Sequence, residues 1–272
     1  MMNKILSLRA IPCGWESIDF SQLYINSDEK EEQLPINVLL FQHRKMGTML
    51  INTGCSELLK KNMTDYLRFK QNRKIRFDKD GDIVSRLNES DMDGRIIKKV
   101  LLTHCSPECC GALPLLPHYE LLASAQVLWR IKTRNLEDGM MRSTLPDHTI
   151  PIRASGIFNG KSVLQPYFKW VFDVLGDGSV LGVDLRGRCR EMMGYYFPEQ
   201  QFFFAADAAV DERVLDKELV PNEKMLSQQS DPDDYLVTLS TLRRFHRENP
   251  SVTIRFLHSS HIPGWQETTA KK

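Results

Sequence analysis

Residues 99–111 read Lys-Val-Leu-Leu-Thr-His-Cys-Ser-Pro-Glu-Cys-Cys-Gly. The apolar run 100–102 ends in Thr103-His104, and a short, polar, thiol-rich loop then closes at Gly111. A short apolar run stopped by a polar loop reads as a buried strand. This one carries His104, Ser106, Glu108 and Cys109 on the first turn of chain beyond its end. The same layout recurs. Residues 48–51 lead into Asn52-Thr53-Gly54, the run Phe202-Phe203-Phe204-Ala205-Ala206 ends in Asp207, and Ile254-Arg255-Phe256-Leu257 ends in His258. Several apolar runs that each finish in a polar or ligand-type residue suit a protein built largely of strands.

In chain order these blocks resemble those of the metallo-β-lactamase superfamily. Residues 103–111 correspond to its Thr-His-x-His-x-Asp-His-x-x-Gly loop, and Asn52-Thr53-Gly54 to its Asp-Thr-Gly. Leu175-Gly176-Asp177-Gly178-Ser179 with Leu185-Arg186-Gly187-Arg188 is similar to its Gly-Asp-Gly-Ser…Leu-Pro-Gly-His block. Asp207 stands where the family has its metal-bridging carboxylate, and His258 where it has the last histidine ligand. The resemblance spans roughly residues 36–261 and implies an α/β (α+β) fold, the αββα sandwich, with two zinc ions at the sheet edge. Length and spacing resemble the lactonase and small-molecule-hydrolase branch, although Val210 stands where lactonases carry a tyrosine.

The ligand positions are altered. His104 is kept, but Ser106, Glu108 and Cys109 replace a histidine, an aspartate and a histidine, and Arg188 replaces another histidine. A hydroxyl is a weak zinc ligand, and a fixed guanidinium repels a cation. The resemblance therefore implies that one half of the dinuclear centre is lost, with Arg188 pairing Asp207 or Glu108 in place of an ion. The other half keeps Glu108, Cys109, Asp207 and His258, a donor set that suits one tetrahedral zinc. His261 competes with His258, and strand register favours His258. The expected cofactor is none or one zinc.

Composition narrows the class. The chain has 272 residues, 42% hydrophobic and 26% charged, with a formal net charge of +1. That is ordinary for a globular enzyme and gives no electrostatic case for nucleic acid or an anionic membrane. No apolar run approaches the ~20 residues of a membrane span, and the start is too short in apolar residues for a secretory signal. A cytoplasmic location is the expectation. Five of the six cysteines (Cys55, Cys105, Cys109, Cys110, Cys189) fall in or beside the blocks above, and a reducing compartment keeps them as thiols.

One domain covering residues 1–272 is expected. Residues 36–41 and 48–51 flank a polar turn and predict a hairpin. Residues 56–70 show helical spacing at Leu58, Leu59, Met63 and Leu67. Residues 71–98, rich in charge, read as an exposed excursion. Residues 134–168, rich in Pro and Gly, read as a lid or binding loop. Asp231-Pro232-Asp233-Asp234 starts the best helix, with Tyr235, Leu236, Leu239, Leu242 and Phe245 as its buried stripe.

These readings favour a hydrolase-like protein that holds a small, anionic molecule in the ancestral pocket. Asp207, His104 and Arg188 would be catalytic, and Ser106 and Arg188 would bind substrate. The alternative is an active hydrolase of esters, lactones or thioesters with one metal on Glu108, Cys109, Asp207 and His258. A third possibility is a Cys109 or Cys110 nucleophile activated by His104 and Arg188.

Overall fold

A computed structural model describes residues 3–70, 73–133, 144, 152–153 and 156–266. The chain begins with β1 (Ile5–Asp19), β2 (Glu31–His43) and β3 (Gly47–Ile51), then α1 (Met63–Lys70), β4 (Lys74–Arg76) and α2 (Ile83–Asn88). Next come β5 (Ile97–Leu101), α3 (Pro107–Cys110), β6 (Glu120–Leu122), α4 (Ala125–Thr133) and β7 (Ile152–Arg153). The second half contains β8 (Gly156–Ile157), β9 (Val171–Asp173), β10 (Leu181–Asp184), β11 (Met193–Phe197) and β12 (Phe202–Phe204). It closes with α5 (Arg213–Asp216), α6 (Glu223–Leu226), α7 (Pro232–Glu248), β13 (Thr253–Arg255) and β14 (Trp265–Gln266).

Two sheets result. One runs β14-β1-β2-β3-β5-β6-β7, with β4 added on β1; the other runs β13-β12-β11-β10-β9-β8. Their inner faces share one core, in which Leu39, Phe41, Met49, Ile51 and Leu101 meet Val183, Tyr195, Phe197 and Phe204. Phe41 and Phe197 meet edge to face across it, with ring centres 5.3 Å apart. The outer face of the first sheet is covered by α2 and α4 through Ile83, Leu87, Val127 and Ile131. On the second sheet, α7 packs Phe245 against Phe203 and Phe168. This is the expected αββα sandwich.

The hairpin forms as predicted, with His43 opposite Gly47. The Asp231 side chain accepts from Asp234 N at the start of α7. Tyr235, Leu239, Leu242 and Phe245 are buried, but Leu236 is largely exposed. Residues 56–70 do not form one helix. A 3-10 turn, Glu57–Lys61, breaks at the extended Asn62 before α1, and Met63 and Leu67 face solvent. Of the expected excursion 71–98, residues 71–72 lie outside the described residues; the rest packs onto the sheet, with β4 paired to β1 and Ile83 and Leu87 of α2 buried. Most of the expected lid, 134–168, lies outside the described residues. Its later part packs inward through Leu164 and Phe168. Among the described residues no helix is long and apolar enough to cross a membrane.

Candidate functional site

The site lies where β1, β5, β12 and β13 run out. Thr103 follows β5, and its N–H and hydroxyl both donate to Asn52 Oδ1, at 3.0 Å each. Asn52 sits in the left-handed region (φ 62°), where asparagine is one of the few tolerated side chains. A hydroxyl has one proton. Having given it to Asn52, Thr103 Oγ1 accepts from His104 Nδ1, 3.0 Å away. That leaves the His104 Nε2 lone pair facing Asp207 Oδ2 at 3.6 Å. Burial outweighs Asp207 and Glu108 and holds the imidazole below its ordinary pKa, so it stays neutral near pH 7.

Asp207 is placed by a strained turn. Ala206 adopts φ 49°, fixed because Leu257 N donates to Ala206 O. Glu108, in the first turn of α3, is fully buried. His104, Glu108 and Asp207 bring one ligand atom each within 4.8 Å of one another. Glu108 Oε2 and Asp207 Oδ1 are buried and have no hydrogen-bond partner among the described residues.

The principal cation at the site is one that sequence reasoning missed. Arg73, just before β4, donates from Nη1 to Glu108 Oε1, and from Nη2 and Nε to both oxygens of Glu16 on β1, the Nε contact being 2.8 Å. Burial alone would lower the Arg73 pKa, but Glu108 and Glu16 outweigh it and push it up. Reciprocally, burial would raise both carboxyls, and Arg73 holds both below the usual glutamate range. His258 completes the group. Its Nδ1 donates to Pro35 O at 3.0 Å, and Nε2 faces Glu16 Oε2 at 3.4 Å.

Arg188 pairs with Asp207, as foreseen, but only at long range. Its Nε is 4.0 Å from Asp207 Oδ2, too long for a hydrogen bond, while Nη1 donates to Gln228 O at 2.6 Å. Its side chain is 25% exposed. The backbone before it allows this position because Gly187, at φ 131°, lies against Tyr235, whose Cα would be 2.3 Å from any Cβ there.

The remaining expected residues separate. Cys109 packs into the core, its Sγ 3.7 Å from His104 Nδ1 and from Thr103 Oγ1, and outside the His104–Glu108–Asp207 group. His258 is also outside that group; His261 is exposed. Ser106 caps α3 through its carbonyl, which accepts from Cys109 N and Cys110 N. Burial pushes the Cys109 thiol well up and the Cys110 thiol to about 12, which disfavours a thiolate nucleophile. All six cysteines are free and buried.

A cavity of about 160 Å³ opens beside the group. Arg73, Arg188, Asp207, His258 and Glu16 line it, together with Gln228 and Lys224; Ser106, His104 and Glu108 do not. Four cations (Arg73, Lys74, Arg188, Lys224) and four carboxylates (Glu16, Asp19, Glu31, Asp207) therefore line the cavity, and His104 and Glu108 do not reach it.

The fit to metal differs between the two halves. Beside His104, one ligand atom each of His104, Glu108 and Asp207 lie together, and each carboxylate keeps a buried oxygen without a hydrogen-bond partner among the described residues, a donor set suited to one cation. Where Glu108 and His258 would hold a second ion, the Arg73 guanidinium already binds Glu108 and Glu16. The residues fit one ion and do not fit two.

The sequence matches no protein-family model and no curated protein. Its structure is similar to solved ones. An N-acyl homoserine lactone hydrolase with N-hexanoyl-L-homoserine bound at its catalytic metal centre aligns at TM-score 0.70 and 15% identity, over 95% of this chain and 94% of that one. A probable metal-dependent hydrolase from Staphylococcus aureus aligns at 0.66 and 12% identity, over 98% and 95%. AidC, a dizinc quorum-quenching lactonase, aligns at 0.60 and 12% identity, over 97% and 90%. The chain has the metallo-β-lactamase fold.

Proposed function

We propose that the chain is a hydrolase-like protein whose dinuclear metal centre has given way on one side to Arg73, and which holds a small anionic molecule in the cavity over Arg188. The observation that carries this reading is the cavity lining, in which Arg73, Lys74, Arg188 and Lys224 stand among Glu16, Asp19, Glu31 and Asp207. Lys74 is paired with Glu31. Arg73 is neutralised by Glu16 and Glu108. Arg188 reaches Asp207 only at 4.0 Å among the described residues, and Lys224 donates to the Gln22 amide oxygen. A carboxylate or phosphate seated there gains a planar, bidentate donor in Arg188.

A second reading is favoured by the orphaned oxygens of Glu108 and Asp207. In it, one zinc on His104, Glu108 and Asp207 serves an ester, lactone or thioester hydrolase. Zinc in such a site supplies Lewis acidity and lowers the pKa of water. The chain's own part would be to hold the His104 Nε2 lone pair toward the ion through Thr103, and to orient substrate with Arg188.

Calorimetry with small carboxylates, N-hexanoyl-L-homoserine included, separates the two, alongside hydrolysis of the matching lactone. Binding that is insensitive to chelator and weakened in Arg188→Ala, with turnover near background, supports the first reading. Turnover abolished by chelator and restored by zinc establishes the second.

A further inference from the structure

We infer that Arg73 is a built-in cation standing in a metal-ion position, and that removing it leaves Glu16, Glu108 and His258 as a binding site for a divalent ion. The inference rests on the reading above, in which the chain carries at most one ion.

Glu16 and Glu108 come from β1 and α3, far apart in sequence, and both clasp the one guanidinium. Their side chains are 9% and 0% exposed, so neither can turn to water for a counter-charge. The third donor is prepared independently. His258 Nδ1 is committed to Pro35 O, so its Nε2 is the atom turned toward Glu16. Metal-bound histidines are held in this way, the second ring nitrogen donating to a carbonyl. Glu108 Oε2, buried and without a hydrogen-bond partner among the described residues, adds a fourth possible contact.

Charge favours the exchange. Glu16, Glu108 and Asp207 face Arg73 and Arg188, three carboxylates to two guanidinium groups. Without Arg73 two negative charges would be uncompensated, and two carboxylates with an imidazole are hard and borderline donors that suit zinc or cobalt. The three donors do not yet lie within 4.8 Å of one another, so the carboxylates must close on the space that the guanidinium leaves.

The test is zinc binding to the full-length Arg73→Ala protein, recovered by refolding with and without zinc and set beside the unsubstituted chain. The variant should take up one more equivalent of zinc than the unsubstituted chain. That extra ion should bind at least tenfold more tightly than any second ion in the unsubstituted chain, and zinc should raise the variant's melting temperature more. Adding Glu16→Gln to Arg73→Ala should remove the gain, and cobalt should report the new site by its visible absorption. Recovery of Arg73→Ala only when zinc is present supports the inference. Equal zinc content in the folded variant and the unsubstituted chain overturns it, and so does failure to fold with or without zinc. Two ions in the unsubstituted chain would overturn the proposed function as well. No gain over a chain that holds one ion or none overturns the inference alone.

Discussion

Arg73 binds Glu108 across 35 positions of sequence, and the same guanidinium holds Glu16 from the opposite side. The site is therefore organised about an arginine.

This network sets the acid stability of the metal-free protein. Glu16 and Glu108 titrate near 4.5 when unperturbed; folded Glu16 lies lower, and Glu108 falls to about 2. A depressed carboxyl contributes stability that is whole above its unfolded pKa and lost as pH falls through its folded one. His104, held below 6.5, acts in the same direction, because the unfolded chain takes up that proton first. Melting temperature should decline gently below pH 6.5 and steeply from 4.5 toward 2. In Arg73→Ala the steep arm should flatten. Parallel melting curves for the two proteins would contradict this.

Arg188 should matter for binding more than for folding. It sits 4.0 Å from Asp207 and is partly exposed, so Arg188→Ala should cost under about 1 kcal/mol in urea unfolding. Affinity for a small carboxylate should fall roughly tenfold, about 1.4 kcal/mol. A large loss of stability with unchanged binding would reverse these roles.

Thr103 fixes which His104 nitrogen faces Asp207. Thr103→Val leaves Nδ1–H without its acceptor and should destabilise the chain by about 1–3 kcal/mol. If His104 holds zinc, its affinity should also drop about 10–100-fold. A variant with unchanged urea midpoint and unchanged zinc affinity would show that this contact is incidental.

The thiols should be inert in the native state. All six are buried, and burial pushes the Cys109 thiol well up. A thiol-reactive dye should label the native protein slowly and the denatured chain at all six positions. Fast labelling of Cys109 or Cys110 in the folded protein would reopen a nucleophile at that loop.

The strand ends were legible in the sequence because an apolar run stopped by Thr103-His104, Asp207 or His258 is a local signal. Helix α7 was legible for the same reason, its capping Asp231 and Pro232 being adjacent. Arg73 was not. It lies among Lys70, Lys74 and Arg76, a run that reads as a solvated face, and it is partly buried where β4 pairs antiparallel with β1. That pairing sets Glu16 opposite Ile75 and brings two distant segments to one point. Arg188 was overrated because its motif position suggested a charge partner, whereas the loop held by Gly187 sends its Nη1 to Gln228.

The most direct measurement is the number of metal ions per chain. Elemental analysis of protein purified without a nickel column, after dialysis against zinc, should find at most one tightly held equivalent if Arg73, which binds Glu108, stands in for the second ion as proposed. Two tightly held ions in the unsubstituted chain would contradict the replacement of a metal by Arg73.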